Sequence, residues 1–361
     1  MEEQTIATLA EMLDEDDMLG HLKGFVNDLY SAFERLGSAG PDWVSGIRER
    51  RWNGVLCLGM GGSAAGGSAL SSLADSEGAL PVWVHRDQNL PSWWNPSHLV
   101  IATSYSGNTE ETLKATREVI EQGGTVIAIC SGGELAGLAE LVKGVHLVLV
   151  PGGQPPRSAF GHLFGTQLSL AWNLGLLPRP STLELKDMLE SLQSHLDECD
   201  FTANPENEIA HLAASLVDRP IAVVGCTELS AMVHRFTCQL NENSARFARG
   251  SVLPEMNHNE LIAWGGVGED IDPRSSEQAL LQLMWRGMEK RTLQRFDWFS
   301  NHLETEHAWR LICEGRTLLE AILHSCIIMD WLSCALALLH GKDPSSITPI
   351  QSLKDHLASV E

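Results

Sequence analysis

Apolar residues recur along the chain in two rhythms, and the way the rhythms alternate predicts the fold. Between residues 5 and 37, Ile6, Leu9, Met12, Leu13, Leu19, Leu22, Phe25, Leu29 and Phe33 are spaced as on one face of a helix, so one or two lead-in helices are expected. Residues 37–41 break that pattern, and 44–51 predict a further short helix. Short apolar runs follow at 54–58, 99–102, 124–130 and 145–150. Each is bounded by turn residues and is too short for a helix, which reads as a buried strand. Helical stretches at 64–73, 109–122 and 135–141 alternate with these runs, and 163–177 is an apolar helix. Strand and helix in turn predict a parallel sheet between layers of helices, an α/β sandwich.

The pattern then repeats more loosely. Residues 178–206 are polar, carry proline at both ends and hold a helical stretch at 183–196, so they read as a connection. A helix at 208–217, a strand at 220–226, a helix at 229–241 and a short strand at 245–248 echo the first unit. A long apolar helix at 324–339 closes with His340-Gly341, the glycine serving as C-cap, and 350–357 predict a terminal helix. The expected division is a helical lead-in at 1–50, a first α/β domain at 51–178, a connection at 179–206, and a second α/β domain with its C-terminal helix at 207–361.

Charge narrows the partners. Lys and Arg number 25 against 47 Asp and Glu, a formal net charge of −22. Nucleic acids and anionic membrane surfaces call for a basic face, so neither is an expected partner. No unbroken apolar run approaches the ~20 residues that span a bilayer. The start, Met1-Glu2-Glu3-Gln4, is acidic and unlike a signal or transit peptide. The eight cysteines are scattered, with no Cys-x-x-Cys pair, and read as free thiols in a reducing, cytoplasmic setting.

Against that negative field, an anionic ligand has to be met by a local cluster of donors. Ser104-Tyr105-Ser106-Gly107-Asn108-Thr109 offers one, between a predicted strand and a predicted helix. Unpaired N–H groups at a helix start, joined by hydroxyls, form a cradle for phosphate. Gly59-Met60-Gly61-Gly62-Ser63 is a second strand-to-helix loop, and glycine lets its backbone approach a ligand. Both loops stand at strand carboxyl ends, where ligands of parallel sheets bind. The spacing Gly59-x-Gly61-x-x-Ala64 also fits a dinucleotide fingerprint, but the next strand ends in Arg86-Asp87 rather than at a clear ribose-binding acid.

Arg157 is the one cation of a proline-held connector, with a planar fork suited to oxyanions, or else a surface arginine at a helix start. Glu242 stands where a helix gives way to a strand, between two asparagines. His258 also has asparagine on both sides, which can fix an imidazole by hydrogen bonds. Glu255, His258 and Glu260 raise a metal site, but their spacing after Pro254 does not match paired ligands on a helix face. Lys354 is a lone cation of the last helix, set to reach a crevice or to lie in water.

These residues carry a resemblance. Gly61-Gly62-Ser63 with residues 104–109 resembles the sugar isomerase (SIS) domain. Pro155-Pro156-Arg157-Ser158-Ala159, Asn241-Glu242-Asn243-Ser244, Pro254-Glu255-Met256-Asn257-His258-Asn259-Glu260 and Leu338-Leu339-His340-Gly341-Lys342-Asp343-Pro344 resemble the bifunctional phosphoglucose/phosphomannose isomerase family. The resemblance implies two SIS domains, each a parallel sheet flanked by helices, and a homodimer with its active site at the interface. It implies an aldose–ketose isomerase that joins glucose 6-phosphate and mannose 6-phosphate to fructose 6-phosphate through an enediolate, without metal or redox cofactor. Gly61, Gly62, Ser63, Ser104, Ser106 and Thr109 would bind the phosphorylated hexose. Arg157 would stabilise the enediolate and Glu242 would carry the proton between C1 and C2. His258, from the partner subunit, and Lys354 would open the sugar ring. The sixteen-residue step from Glu242 to His258 is similar to that in the isomerase domain of glucosamine-6-phosphate synthase. Ser345-Ser346 stands where the family commonly has Thr-Pro, which bears on the balance between glucose and mannose substrates. Other readings stay open on residues alone: a sugar-phosphate-binding regulator, an NAD(P) oxidoreductase, or an isomerase for another phosphosugar.

Overall fold

The computed structural model describes residues 5–360, so the acidic start Met1–Gln4, read above as neither signal nor transit peptide, lies outside it. The lead-in forms α1 (Ile6–Leu13), α2 (Met18–Lys23), α3 (Phe25–Leu36) and the short α4 (Trp43–Arg48). Then come β1 (Gly54–Leu58), α5 (Gly61–Glu77), β2 (Val82–His85), β3 (His98–Thr103), α6 (Glu110–Glu121), β4 (Val126–Cys130), α7 (Gly133–Leu141) and β5 (Val145–Leu149). The strands form one parallel sheet in the order β2-β1-β3-β4-β5. β1, β3 and β4 are buried at every residue, as strands covered on both faces must be, and this is why they read as unbroken apolar runs. α8 (Phe160–Leu174) is buried along its whole length, with α3 and α5 packed against it.

α9 (Thr182–Cys199) links the two units along the chain and packs on α3, opened by a capping box in which Ser181 and Glu184 satisfy each other's backbone N–H groups. The second unit continues with α10 (Glu208–Leu216), β6 (Ile221–Cys226), α11 (Ser230–Asn243), β7 (Ala248–Leu253), α12 (Leu261–Trp264), β8 (Ala279–Trp285), α13 (Lys290–Ser300), β9 (Ala308–Cys313), α14 (Leu318–Leu339) and α15 (Thr348–Ser359). Its sheet is parallel too, in the order β7-β6-β8-β9. The α/β sandwich expected from the sequence is therefore present twice.

Two expectations shift. The strand read at 245–248 forms instead at 248–253, because Ala245 turns the chain with a φ of 53° after α11 ends. The Asn241 side chain then accepts a hydrogen bond from the Ala248 N–H and starts the strand. The helix read at 324–339 begins six residues earlier, at Leu318, where the Thr317 hydroxyl caps it by accepting from the Glu320 N–H. That lengthened helix, α14, is long and apolar enough to cross a membrane, with mean hydropathy 1.9, yet 94% of the apolar window is buried within the protein. It is the core helix of the second unit, packed against α9, α10 and α11. All eight cysteines are free, and only Cys238 is exposed.

Where α9 meets α14, His195 and His324 stack with ring centroids 3.4 Å apart. Burial first, and the neighbouring imidazole of His195 second, push the pKa of His324 down to about 3. Glu314 faces both rings, Glu198 lies 3.7 Å from His195 Nδ1, and Arg286 pairs with Glu314. A histidine held neutral takes up its proton only on unfolding. Its contribution is therefore complete above the unfolded pKa of 6.5 and is lost as the pH falls toward 3. Lowering the pH from 7.5 to 5 should cost about 2 kcal/mol through this one group. Urea unfolding of the parent and of His324→Gln at both pH values measures it: the parent should lose more stability than the variant, and equal losses would refute the assignment.

Candidate active site

Two turns at the carboxyl edge of the first sheet meet each other. The loop after β1 leads into α5 and the turn after β3 leads into α6, so two helix starts face one crevice. The Ser63 hydroxyl accepts a hydrogen bond from the Tyr105 N–H at 3.1 Å and latches the loops together. Ser104 and Thr109 join hydroxyl to hydroxyl at 2.8 Å, and Ser106 Oγ accepts from the Asn108 N–H. Gly107 sits at φ +71° with a would-be Cβ 1.9 Å from the Gly132 carbonyl oxygen, so only glycine closes this turn. Ser63 and Ser104 are buried, while Ser106 is exposed and Thr109 half-buried. The buried pair shapes the turn; the outer pair and the first N–H groups of α5, which have no acceptor within their helix, are left for an anion.

The connector after β5 lies on this cradle. The Gln154 N–H donates to the Tyr105 hydroxyl at 3.1 Å. A Cβ on Gly62 would stand 2.9 Å from the Pro156 carbonyl oxygen and 3.2 Å from the Arg157 Cα, so the glycine admits the connector to the loop. Arg157 is thereby delivered into the interior at 3% exposure, unlike a surface arginine at a helix start. Each arm of its guanidinium is used: Nε donates to Asn243 Oδ1 at 2.6 Å, Nη1 to Glu242 Oε1 at 3.0 Å and Nη2 to the Pro344 carbonyl at 2.6 Å.

Glu242 is presented by the last turn of α11, which α14 holds in rotation. Arg235, Gln239 and Asn243 follow at intervals of four, on one buried stripe. Arg235 donates to both carboxylate oxygens of Asp330 at 2.8 and 2.9 Å, and also to the Arg157 carbonyl at 3.2 Å. Gln239 donates to Asp330 at 2.5 Å and Asn243 to the Ser333 hydroxyl at 2.9 Å. The residues one position earlier, His234, Cys238 and Glu242, form the open edge of the same helix. Glu242 keeps 31% of its side chain exposed, so its carboxylate meets Arg157 and stays partly open.

His258 and Lys354 are not brought to this place within the chain. His258 ends a short 3-10 turn, Glu255–His258, that follows the cis Leu253–Pro254 bond. Glu242 precedes the six-residue β7 and His258 follows it, so about 20 Å of strand separates them. The asparagines beside His258 do not fix its ring. Asn259 accepts from the Glu260 N–H and Asn257 Oδ1 is buried without a partner, leaving the exposed imidazole with none among the described residues. Glu260 is engaged by Arg249, Ser251 and Trp264. No group of three metal-ligating side chains occurs among the described residues. Lys354 lies on α15, none of whose residues is buried, and it has no partner among the described residues. One residue was quoted in a motif without a role: Lys342 hydrogen-bonds the carbonyls of Glu242 and Asn243. A cation following a helix-ending glycine in so acidic a chain was its only sequence signal.

The arrangement supplies neutral donors for an oxyanion, a fixed cation, and a carboxylate able to exchange a proton beside it. Residues 205–357 match the family model described as bacterial phospho-glucose isomerase C-terminal SIS domain. A bifunctional phosphoglucose/phosphomannose isomerase of Caldicellulosiruptor bescii is 32% identical over 324 residues, covering 85% of this chain and 90% of the relative. One of Aquifex aeolicus is 32% identical over 311 residues, covering 85% and 91%. Among solved structures, tagatose-6-phosphate ketose/aldose isomerase from Escherichia coli shares the fold with a TM-score of 0.70 at 14% identity, over 92% of this chain and 95% of that one.

The Arg235–Asp330 pair seats α11, and breaking it leaves a guanidinium buried without its carboxylate. Asp330→Ala should lower stability by about 3–5 kcal/mol, read from a urea unfolding curve. A loss below ~1 kcal/mol would mean that α11 is held by its apolar contacts instead.

Proposed function

Because the chain belongs to the bifunctional phosphoglucose/phosphomannose isomerase family, we propose that it interconverts glucose 6-phosphate and mannose 6-phosphate with fructose 6-phosphate. The observation that carries this reading is the Arg157 guanidinium, buried and 3.0 Å from the half-open Glu242 carboxylate, on a connector that lies against the glycine loop at Gly62. The phosphate is held by Ser106, Thr109 and the α5 start, with Gly61, Gly62, Ser63 and Ser104 shaping the cradle. Glu242 removes the C2 proton of the open aldose and returns it to C1, while the O2 hydroxyl proton passes to O1, so that the aldehyde becomes an alcohol and C2 a ketone. The negative charge that develops on the enediolate oxygens is met by Arg157, whose position is set before the reaction begins. The two aldoses differ only at C2, and C2 becomes planar in the enediolate. Both therefore pass through one intermediate, but their C2 protons leave opposite faces, so a single base serves both only as the sugar turns about its C2–C3 bond in the site.

Ring opening requires an acid at the ring oxygen and a base at the C1 hydroxyl, the roles we assign to His258 and Lys354. We assign His258 to the crevice of a second copy, in a homodimer. The reading is supported by the strand that separates His258 from Glu242 in one chain. It is supported also by Phe247, which is 99% exposed beside that strand, and by the apolar Ile350, Leu353 and Leu357 exposed on α15.

A coupled assay without added metal, offering each aldose phosphate separately, should detect fructose 6-phosphate from both. Activity on neither, with the protein folded, would favour a regulator or another phosphosugar. The shared site has its own test. Glu242→Gln and His258→Ala should each be nearly inactive, and after joint unfolding and refolding the mixture should regain about a quarter of the parental activity, since half the dimers are mixed and one site of each is intact. Mixed chains that stay inactive, while both variants fold and dimerise, would place His258 and Glu242 in the same subunit's site or remove one from the mechanism.

A further inference from the structure

The segment that follows α14 has no assigned role, yet it touches both groups of the proposed reaction. Gly341, at φ +68°, ends the helix, and the Lys342 N–H returns to the Ala337 carbonyl at 2.9 Å, which fixes the lysine's backbone. From there Lys342 Nζ reaches main-chain oxygens on two elements. It donates to the carbonyls of Asn243 and Asp343 at 2.9 Å, of Ser346 at 3.2 Å and of Glu242 at 3.3 Å. Two residues on, the Pro344 carbonyl accepts from Arg157 at 2.6 Å.

We propose that Lys342 is a positioning residue for Glu242, its ammonium acting as a built-in cation that clamps the last turn of α11. The final carbonyls of a helix have no partner within it and carry its negative end, so a cation seated there is bound by charge and by hydrogen bonds together. Burial first, and the Arg157 cation second, lower this lysine's pKa, as expected of an ammonium with little water around it. The clamp holds the Glu242 main chain, whereas Arg157 holds its side chain; with both ends fixed, the carboxylate has one place to stand. Asn243, restrained by the same ammonium, also accepts from Arg157 Nε, so the lysine aligns acid and cation as one unit. The inference rests on Glu242 being the base of the isomerisation.

Lys342→Ala empties the cage and Lys342→Met fills it with an uncharged stem of similar length. Both variants should lower kcat for glucose 6-phosphate about tenfold or more while KM stays close to the parent's, because the loss is of alignment at the reacting carbon and not of phosphate binding. Methylammonium chloride should restore much of the kcat of Lys342→Ala and none of that of Lys342→Met, and tetramethylammonium chloride, which has no N–H, should restore neither. Melting temperatures report folding separately. A folded variant with parental kcat, or equal rescue by the two salts, overturns the proposal; should Lys342→Ala fail to fold, kcat of Lys342→Met decides alone. Glu242→Gln is the control for the premise. If it remains active, the assignment of the base has failed, whereas an inactive Glu242→Gln beside an unimpaired Lys342→Met refutes the clamp only.

Discussion

A guanidinium taken out of water must have its donors met, and in this protein that requirement ties three distant parts of the chain to one point. Arg157 comes from the connector of the first unit, Asn243 and Glu242 from α11 of the second, and Pro344 from the segment after α14. Arg235, donating to the Arg157 carbonyl, and Lys342, donating to the Glu242 and Asn243 carbonyls, brace the same junction. A planar fork with fixed donor directions demands acceptors in one plane, which lysine would not. The first sheet and the second helical layer are thus registered where the proposed chemistry takes place. The glycine at position 62 belongs to the same constraint, since any side chain there would push the connector away.

α11 shows how one helix serves packing and site at once. Its buried stripe, Arg235, Gln239 and Asn243, is polar, an uncommon choice for a helix packed on a core. An apolar stripe would bury as well but would let the helix rotate or slide among similar neighbours. Directed bonds to Asp330 and Ser333 fix one rotation, and the adjacent edge carrying Glu242 is thereby turned toward Arg157.

The sequence was most legible where burial is complete on both faces. β1, β3 and β4 appear as apolar runs because every position lies inside, and the glycine and hydroxyl turns stand out because helix starts leave donors unpaired. β7 was misplaced because Ala248-Arg249-Gly250-Ser251 has neither an apolar run nor an alternation; it is an edge strand whose side chains are mostly half or fully exposed. Arg157 and Glu242 stood out singly, but the resemblance supplied their roles, since their contact spans 85 positions of sequence and leaves no periodic trace. Lys342 was harder still. It works through main-chain oxygens, and carbonyls are present at every residue, so nothing in the neighbouring sequence marks where they converge.

The charge of the chain explains why the candidate site is built from neutral donors. A protein at −22 repels a sugar phosphate at long range, and a row of lysines at the mouth would seem the direct remedy. The crevice instead offers hydroxyls and helix-start N–H groups, which bind at contact distance and carry no counterions to be displaced. Its two cations near the carboxylate are both held by the protein: Arg157 by carboxylate, amide and carbonyl, and Lys342 by carbonyls alone. Cations so satisfied gain little by gripping the phosphate of the resting substrate. In the proposed reaction the field of Arg157 is of most use to charge that appears beside it, on the oxygens of an enediolate, and favouring the transient species over the bound substrate is what accelerates a reaction.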